Sequence, residues 1–197
     1  MGLSLPVSMR WDLPPWTHEL VDPRQAFPTR EERMALAVEL SRRNVAERTG
    51  GPFGAAVFDL KTCRPLALGV NRVVPSTSAA AHAEVVAICL AGQALGNFDL
   101  TEGNEGPTEL VTSCSPCAMC LGAIPWSGVS RVVIGAREED ARAVGFDEGN
   151  RPSDWVEGFQ RRGIGVVEDV LRAEAVAVLQ DYVGGGGLVY NSSKTEG

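Results

Sequence analysis

Three cysteines stand three apart in TSCSPCAMCLGAIPW, Thr112 to Trp126: Cys114, Cys117 and Cys120. Positions i and i+3 of a helix share a face, and proline suits a helix's first position. Pro116 therefore predicts a helix with the thiols of Cys117 and Cys120 in its first turn. Unpaired backbone N–H groups and the positive end of the helix dipole gather there and favour thiolates. Two thiolates on one face, joined by an imidazole from elsewhere, suit zinc. The imidazole on offer is His82 in AAAHAEVVAICLA, one of two histidines in the chain, with Glu84 two residues on. Inside a helix i and i+2 diverge, so His82 and Glu84 can converge only if the helix begins here and its first turn faces a cavity.

Three protein ligands leave a fourth position for water, whose pKa zinc draws toward neutrality. Glu84 beside that water is placed to accept its proton and pass it to a leaving group, which is hydrolysis at an electron-poor carbon. Two other readings use the same residues. His82, Cys114, Cys117 and Cys120 would make a closed structural Cys₃His site in a non-catalytic protein, leaving Glu84 without a task. Cys114-Ser-Pro-Cys117 has the spacing of a redox dithiol, which leaves Cys120 and the His82–Glu84 pair unexplained.

The elements around these residues alternate. Thr29 caps a helix to about Arg48, with Glu31 and Glu32 in its first turn, Met34, Ala35, Val38 and Val45 inward, and Gly50-Gly51 as its end. FGAAVFDL and RPLALGVNRVV read as strands joined by a short turn near Lys61. HAEVVAICLAGQAL is apolar nearly all round, which predicts a helix sandwiched in the core. ELVTS and RVVIGA are further strands, Glu138 to Val144 a short helix, and GFDEGNRPS a loop. DWVEGFQRRG and LRAEAVAVLQDYV are helices with IGVVEDV as a fifth strand between them. The short first link makes the first two strands antiparallel, and helices between later strands make those parallel. The expected fold is α/β: a three-layer α/β/α sandwich with a mixed five-stranded sheet. Residues 1–28, rich in proline and tryptophan, read as an extended N-terminal arm, 29–183 as the main domain, and 184–197 as a tail hinged on GGGG.

Composition narrows the partners. The 197 residues carry a formal net charge of −7, with a sequence pI of about 4.9. That balance argues against a broad electrostatic grip on nucleic acid. No apolar run approaches the roughly 20 residues of a membrane span, and the N-terminus lacks the pattern of a secretory signal. A soluble cytoplasmic protein is expected. Cys63 and Cys89 lie in apolar surroundings and read as buried small hydrophobes. His18 reads as a surface residue.

His82-Ala83-Glu84 with Pro116-Cys117-Ala118-Met119-Cys120 is the H-x-E and P-C-x-x-C signature of zinc nucleobase deaminases. On it the chain resembles the cytidine deaminase-like superfamily, from about Phe53 to Trp155. GPFGAAV, GVN, HAEVVAI, TSCSPCAMCLGAIPWSGV and GFDEG look most like the guanine deaminases within it. Such relatives often carry Glu before the motif proline, where this chain has Ser115, a residue that can still cap the cysteine helix.

The resemblance implies a Zn²⁺ enzyme with His82, Cys117 and Cys120 as ligands. It implies hydrolytic loss of ammonia from a free nucleobase, guanine first, with cytosine, nucleosides and amino-triazines as alternatives. It also implies a homodimer. Glu84 and a second acid, Glu148, would move protons. Asn71 would hydrogen-bond the base, and Phe53, Trp126 and Phe146 would wall its pocket. The tail would cover an active site, in its own chain or across the dimer, with Tyr190 as its contact. A tRNA adenosine deaminase shares the motif, but an acidic chain with no basic run is poorly built to hold a phosphate backbone.

Overall fold

The computed structural model describes residues 5–190. The expected arm and tail extend past these bounds, so Met1–Ser4 and Asn191–Gly197 lie outside the described residues. In chain order the elements are α1 Thr17–Leu20, α2 Arg30–Ala46, β1 Gly54–Asp59, β2 Arg64–Val70, α3 Ala83–Leu95, α4 Leu100–Gly103 and β3 Thr108–Cys114. Then follow α5 Ala118–Ala123, which tightens into a 3₁₀ turn at Ile124–Trp126, β4 Arg131–Ala136, α6 Glu138–Ala143, α7 Trp155–Arg161, β5 Gly165–Val167 and α8 Arg172–Gly184. Among the described residues no helix is long and apolar enough to cross a membrane.

The five strands form one sheet in the order β2-β1-β3-β4-β5. β1 runs antiparallel to both β2 and β3, while β3, β4 and β5 are mutually parallel, so the sheet is mixed. Side chains alternate across a strand, and here the alternation fills two cores. Ala56, Phe58, Val111 and Val133 face one layer with α2 and α8. Ala55, Val57, Leu110, Val132 and Ile134 face the other with α3, α5 and α7. The result is the expected three-layer α/β/α sandwich.

Local chemistry explains the helix ends. Glu32 N–H donates to Thr29 Oγ1 at 3.2 Å and Thr29 N–H to Glu32 Oε2 at 2.8 Å, a reciprocal cap that starts α2. α2 stops at Ala46, earlier than the glycine pair suggested, because Arg48 turns left-handed at φ 55°. Ala35 is exposed rather than inward: the buried face runs through Met34, Ala37, Val38 and Ser41, the i, i+3, i+4, i+7 stripe, and Ala35 lies off it.

α3 departs from the sandwiched helix its composition suggested. Only Ala83, Glu84, Val86, Ala87 and Ala91 are buried, so one face meets the sheet and the outer face is uncovered in the single chain. Cys89 sits on that face and is exposed, and Cys63 is half-buried in a turn at φ 56°, so neither is the core residue expected. The arm is docked from Leu13 onward: Trp16 is buried, donates to Thr49 Oγ1 at 3.1 Å and lies under the Arg43 guanidinium.

Glu109 on β3 is fully buried between two cations. Arg33 Nε donates to its Oε1 at 2.7 Å, and Arg131 Nε lies 2.5 Å from Oε2 without hydrogen-bond alignment. Removing one partner of a buried pair strands the other charge, at a cost of about 3–5 kcal/mol. Glu109→Ala is expected to lose that much unfolding free energy in a urea titration; a loss near zero would contradict the role.

Candidate active site

The site forms where two chain segments enter helices. After β2, the loop from Asn71 returns to His82, which is the N-cap of α3 with extended backbone, φ −72° and ψ 153°. The helix begins at Ala83, so Glu84 occupies its second position and both side chains can face one cavity, the condition the H-x-E spacing required. Gly69 makes this entry possible, because a Cβ there would lie 2.2 Å from the Ala83 carbonyl oxygen. On the other side β3 ends at Cys114, and Cys117 caps α5 with Cys120 three positions inside. Pro116 precedes the cap rather than taking the first helical position. Ser115 does not cap either: its N–H donates to Ala136 O at 2.8 Å and its Oγ accepts from Arg151 Nη2 at 3.0 Å.

His82 Nδ1 lies 3.5 Å from Cys117 Sγ and 3.6 Å from Cys120 Sγ, and the two sulfurs are 3.6 Å apart. Tetrahedral zinc with Zn–S near 2.3 Å and Zn–N near 2.0–2.1 Å has S···S edges of about 3.8 Å and S···N edges of about 3.6 Å. The triangle therefore fits one zinc ion with little adjustment, and its donor set is the right one. Cys114 takes no part. Its Sγ is buried in the α2/α8 core, 3.9 Å from Arg137 O. Neither the closed Cys₃His site nor the Cys114–Cys117 dithiol is built.

Electrostatics within the cavity are unusual for carboxylates. Glu84 and Glu148 are each 6% exposed. Burial, then the Cys117 charge, pushes Glu84 up to about 7, against the opposing pull of His82. Burial, then Cys117 and Glu84, pushes Glu148 up to about 8. The hydrogen bond from Cys120 draws Cys117 down to about 4, with His82 adding to it and burial opposing, and the same shared proton drives Cys120 well up. Burial works against a charged His82, but its hydrogen bond to Cys117 and the charge of Glu84 outweigh it and raise its pKa. A divalent ion, as the largest local charge, would act on all of these groups.

The cavity is lined by Phe53, Asn71, His82, Glu84, Phe146 and Glu148 with Ser115, Cys117 and Tyr190. Cys120 is buried beneath. Phe146 meets Phe53 edge-on at 4.9 Å and Tyr190 at 6.2 Å between ring centres. Asn71 Nδ2 donates to Tyr190 Oη at 2.6 Å. Asn71 itself is held by Asn44, whose Nδ2 donates to Asn71 O at 3.0 Å and to Gly51 O at 2.8 Å. Gly50 lets that loop approach, since a Cβ there would lie 1.9 Å from Asn71 O.

Tyr190 arrives on its own chain's site because the glycines are not slack: Gly184 closes α8, and Gly187 N–H donates to Tyr182 O at 2.8 Å, turning the tail back. Trp126 is the one predicted site residue not brought in. It ends the 3₁₀ turn, 79% exposed, on a separate groove with Trp155, because six residues carry it about 9 Å further along the α5 axis. Ser115 lines the cavity although its sequence position suggested only a cap.

Residues 28–136 match the cytidine and deoxycytidylate deaminase zinc-binding region. The guanine deaminase of Bacillus subtilis is 42% identical over 118 residues, 60% of this chain and 71% of that protein. The solved guanine deaminase of Nitrosomonas europaea superposes with a TM-score of 0.86 at 41% identity, over 92% of this chain and 99% of that one. The solved structure of NE0047 in complex with 2,6-diaminopurine gives a TM-score of 0.87 at 43% identity, over 94% and 97% of the two chains.

The triangle predicts metal content directly. Cys117→Ser is expected to lose most bound zinc by mass spectrometry, whereas Cys114→Ala should keep one ion per chain. Zinc loss from the Cys114 variant would revive the four-ligand site.

Proposed function

The chain belongs to the cytidine and deoxycytidylate deaminase zinc-binding family, and from that premise we propose that it hydrolyses guanine to xanthine and ammonia. The observation that carries this reading is the placing of two buried, proton-holding carboxylates, Glu84 and Glu148, beside the His82–Cys117–Cys120 triangle in an aromatic-walled cavity. The names of the Bacillus and Nitrosomonas relatives, and the purine bound to NE0047, support guanine as the base.

His82, Cys117 and Cys120 would hold a zinc ion, which when bound would supply a water acidic enough to ionise near neutral pH. Glu84, poised near 7, takes the water proton and delivers it to the ring nitrogen beside the attacked carbon. Glu148, poised near 8, gives a proton to the departing amino group, and as the C–N bond breaks and ammonia leaves, the added hydroxyl forms the carbonyl of xanthine and its proton restores the acid. Asn71 offers an amide donor and acceptor at the wall, matching the mixed edge of a purine. Phe53 and Phe146 make the flat apolar faces, and water is excluded when Tyr190 closes over them.

The cavity measures about 30 Å³ and adjoins a groove of about 310 Å³ that also touches His82, Cys117, Glu148 and Tyr190. A purine needs more than the cavity alone, and Tyr190, which lines both spaces, is placed to cover a base that occupies them. This enclosure favours a free base over a nucleoside or a tRNA, as does the net charge of −7. The exposed apolar residues Met119 and Trp126 near α5 and Cys89 on α3 support assembly into a homodimer.

Ammonia release from zinc-loaded protein should be fastest with guanine in a screen that includes cytosine, adenine, their nucleosides, amino-triazines and tRNA. A faster rate on another member replaces guanine as substrate. Glu84→Gln is expected to lower kcat by about 10²–10⁴-fold with zinc retained, and near-native turnover would remove Glu84 from the chemistry. Truncation after Gly187 is expected to lower kcat/KM for guanine at least tenfold; unchanged kinetics would mean the tail is not a lid.

A further inference from the structure

Glu148 sits on an irregular loop, residues 144–154, that has no strand or long helix of its own to hold it. The loop is instead tied at three points around the acid. The Glu148 carbonyl accepts from Ala118 N–H in the first turn of α5 at 2.9 Å. Gly149 O accepts from Arg142 Nη2 at 2.9 Å. Three residues beyond the acid, Arg151 folds inward until its side chain is only 4% exposed. Its Nη2 donates to Ser115 Oγ at 3.0 Å, its Nη1 lies 3.1 Å from Glu138 Oε2, and its guanidinium stands 5.2 Å over the Trp155 ring. The other oxygen of Glu138 holds Arg142 Nε at 2.8 Å, so one carboxylate braces both arginines.

We infer that Arg151 is the positioning residue for Glu148, fastening the loop that carries this acid to the segment that carries Cys117. Ser115 is two residues before Cys117 and is itself fixed to β4 through Ala136 O. Arg151 thus sets one half of the site against the other. It does not line the cavity, so it acts through the loop rather than on the base. A proton-transferring group must be held to about 0.5 Å, and the Ala118 and Arg142 ties lie at or before Gly149. On the far side of Gly149, Arg151 is the tie nearest to the acid, ahead of the start of α7 at Trp155. The inference rests on the reading of Glu148 as the second acid.

Kinetics of Arg151→Met, Arg151→Lys, Glu148→Gln and the double variant Glu148→Gln/Arg151→Met test it, methionine keeping an apolar stem against Trp155. Arg151→Met is expected to lower kcat about 10–100-fold, the order of a 1 Å misplacement, with KM changed less than about threefold and zinc content intact. Arg151→Lys should recover part of the loss. In the Glu148→Gln background the same change should cost less than about twofold, because there is no acid left to place. Full multiplication of the two losses would overturn the inference. Amide hydrogen exchange supplies a readout independent of any substrate: peptides spanning 145–153 should exchange faster in Arg151→Met, and unchanged exchange there would also overturn it. If guanine is inert and another base is turned over, the cycle run on that base separates failure of the substrate reading from failure of the positioning.

Discussion

Two helices that begin at the same point in space are the constraint on which the rest depends. His82 caps α3 and Cys117 caps α5, each with extended backbone. The residues that follow, Glu84 and Cys120, then fall in first helical turns beside the caps. First turns carry unpaired N–H groups and the positive dipole end, which favour a thiolate and a carboxylate. The sheet fixes the meeting point. β2 and β3 run in the same direction on either side of β1, so α3 crosses one face between them and the chain leaves β3 directly into the α5 turn.

That convergence concentrates negative charge where burial opposes it. Cys117, Glu84 and Glu148 share one cavity; burial and the Cys117 charge raise the proton affinity of both acids, and Glu84 raises that of Glu148 further. Carboxylates in such a place hold protons near neutral pH, at which an exposed carboxylate would have lost them. A divalent cation among the His82, Cys117 and Cys120 donors would relieve part of that repulsion. The buried acids that stand outside the donor triangle are Glu84 and Glu148.

The scaffold around this centre is tied by polar contacts from a distance. Asn44 on α2 holds Asn71 across the Gly50–Gly51 loop, and Asn71 in turn meets Tyr190 from the far end of the chain. Phe146 is the apolar hub, touching Phe53, Tyr182 and Tyr190. The pocket is therefore assembled from six separate stretches, and its closure depends on how α8 ends.

Much of this was legible in the residues alone. Cys117 and Cys120 share a helical turn by spacing, the His82–Glu84 pair names the imidazole and the acid, and strand and helix periods give a mixed five-stranded sandwich. These are short-range facts, set by 3.6-residue and two-residue periods and by caps within a few positions. Asn71, Phe53, Phe146, Glu148 and Tyr190 came from likeness to other sequences, and packing then gathered them. Trp126 had the same warrant, yet the turn after α5 carries it to another groove. The outward face of α3, with Cys89, and the exposed side of Ala35 depended on which helix face met the sheet. Ser115 and Arg151 carried no motif, because their meeting spans 36 residues and two loops. The sequence by itself determined that Cys117 and Cys120 share a helical turn and how strands and helices alternate, since both follow from local periods. Only the tertiary structure decided which distant side chains close the cavity and hold its second acid, since loops take their paths from contacts that no local period records.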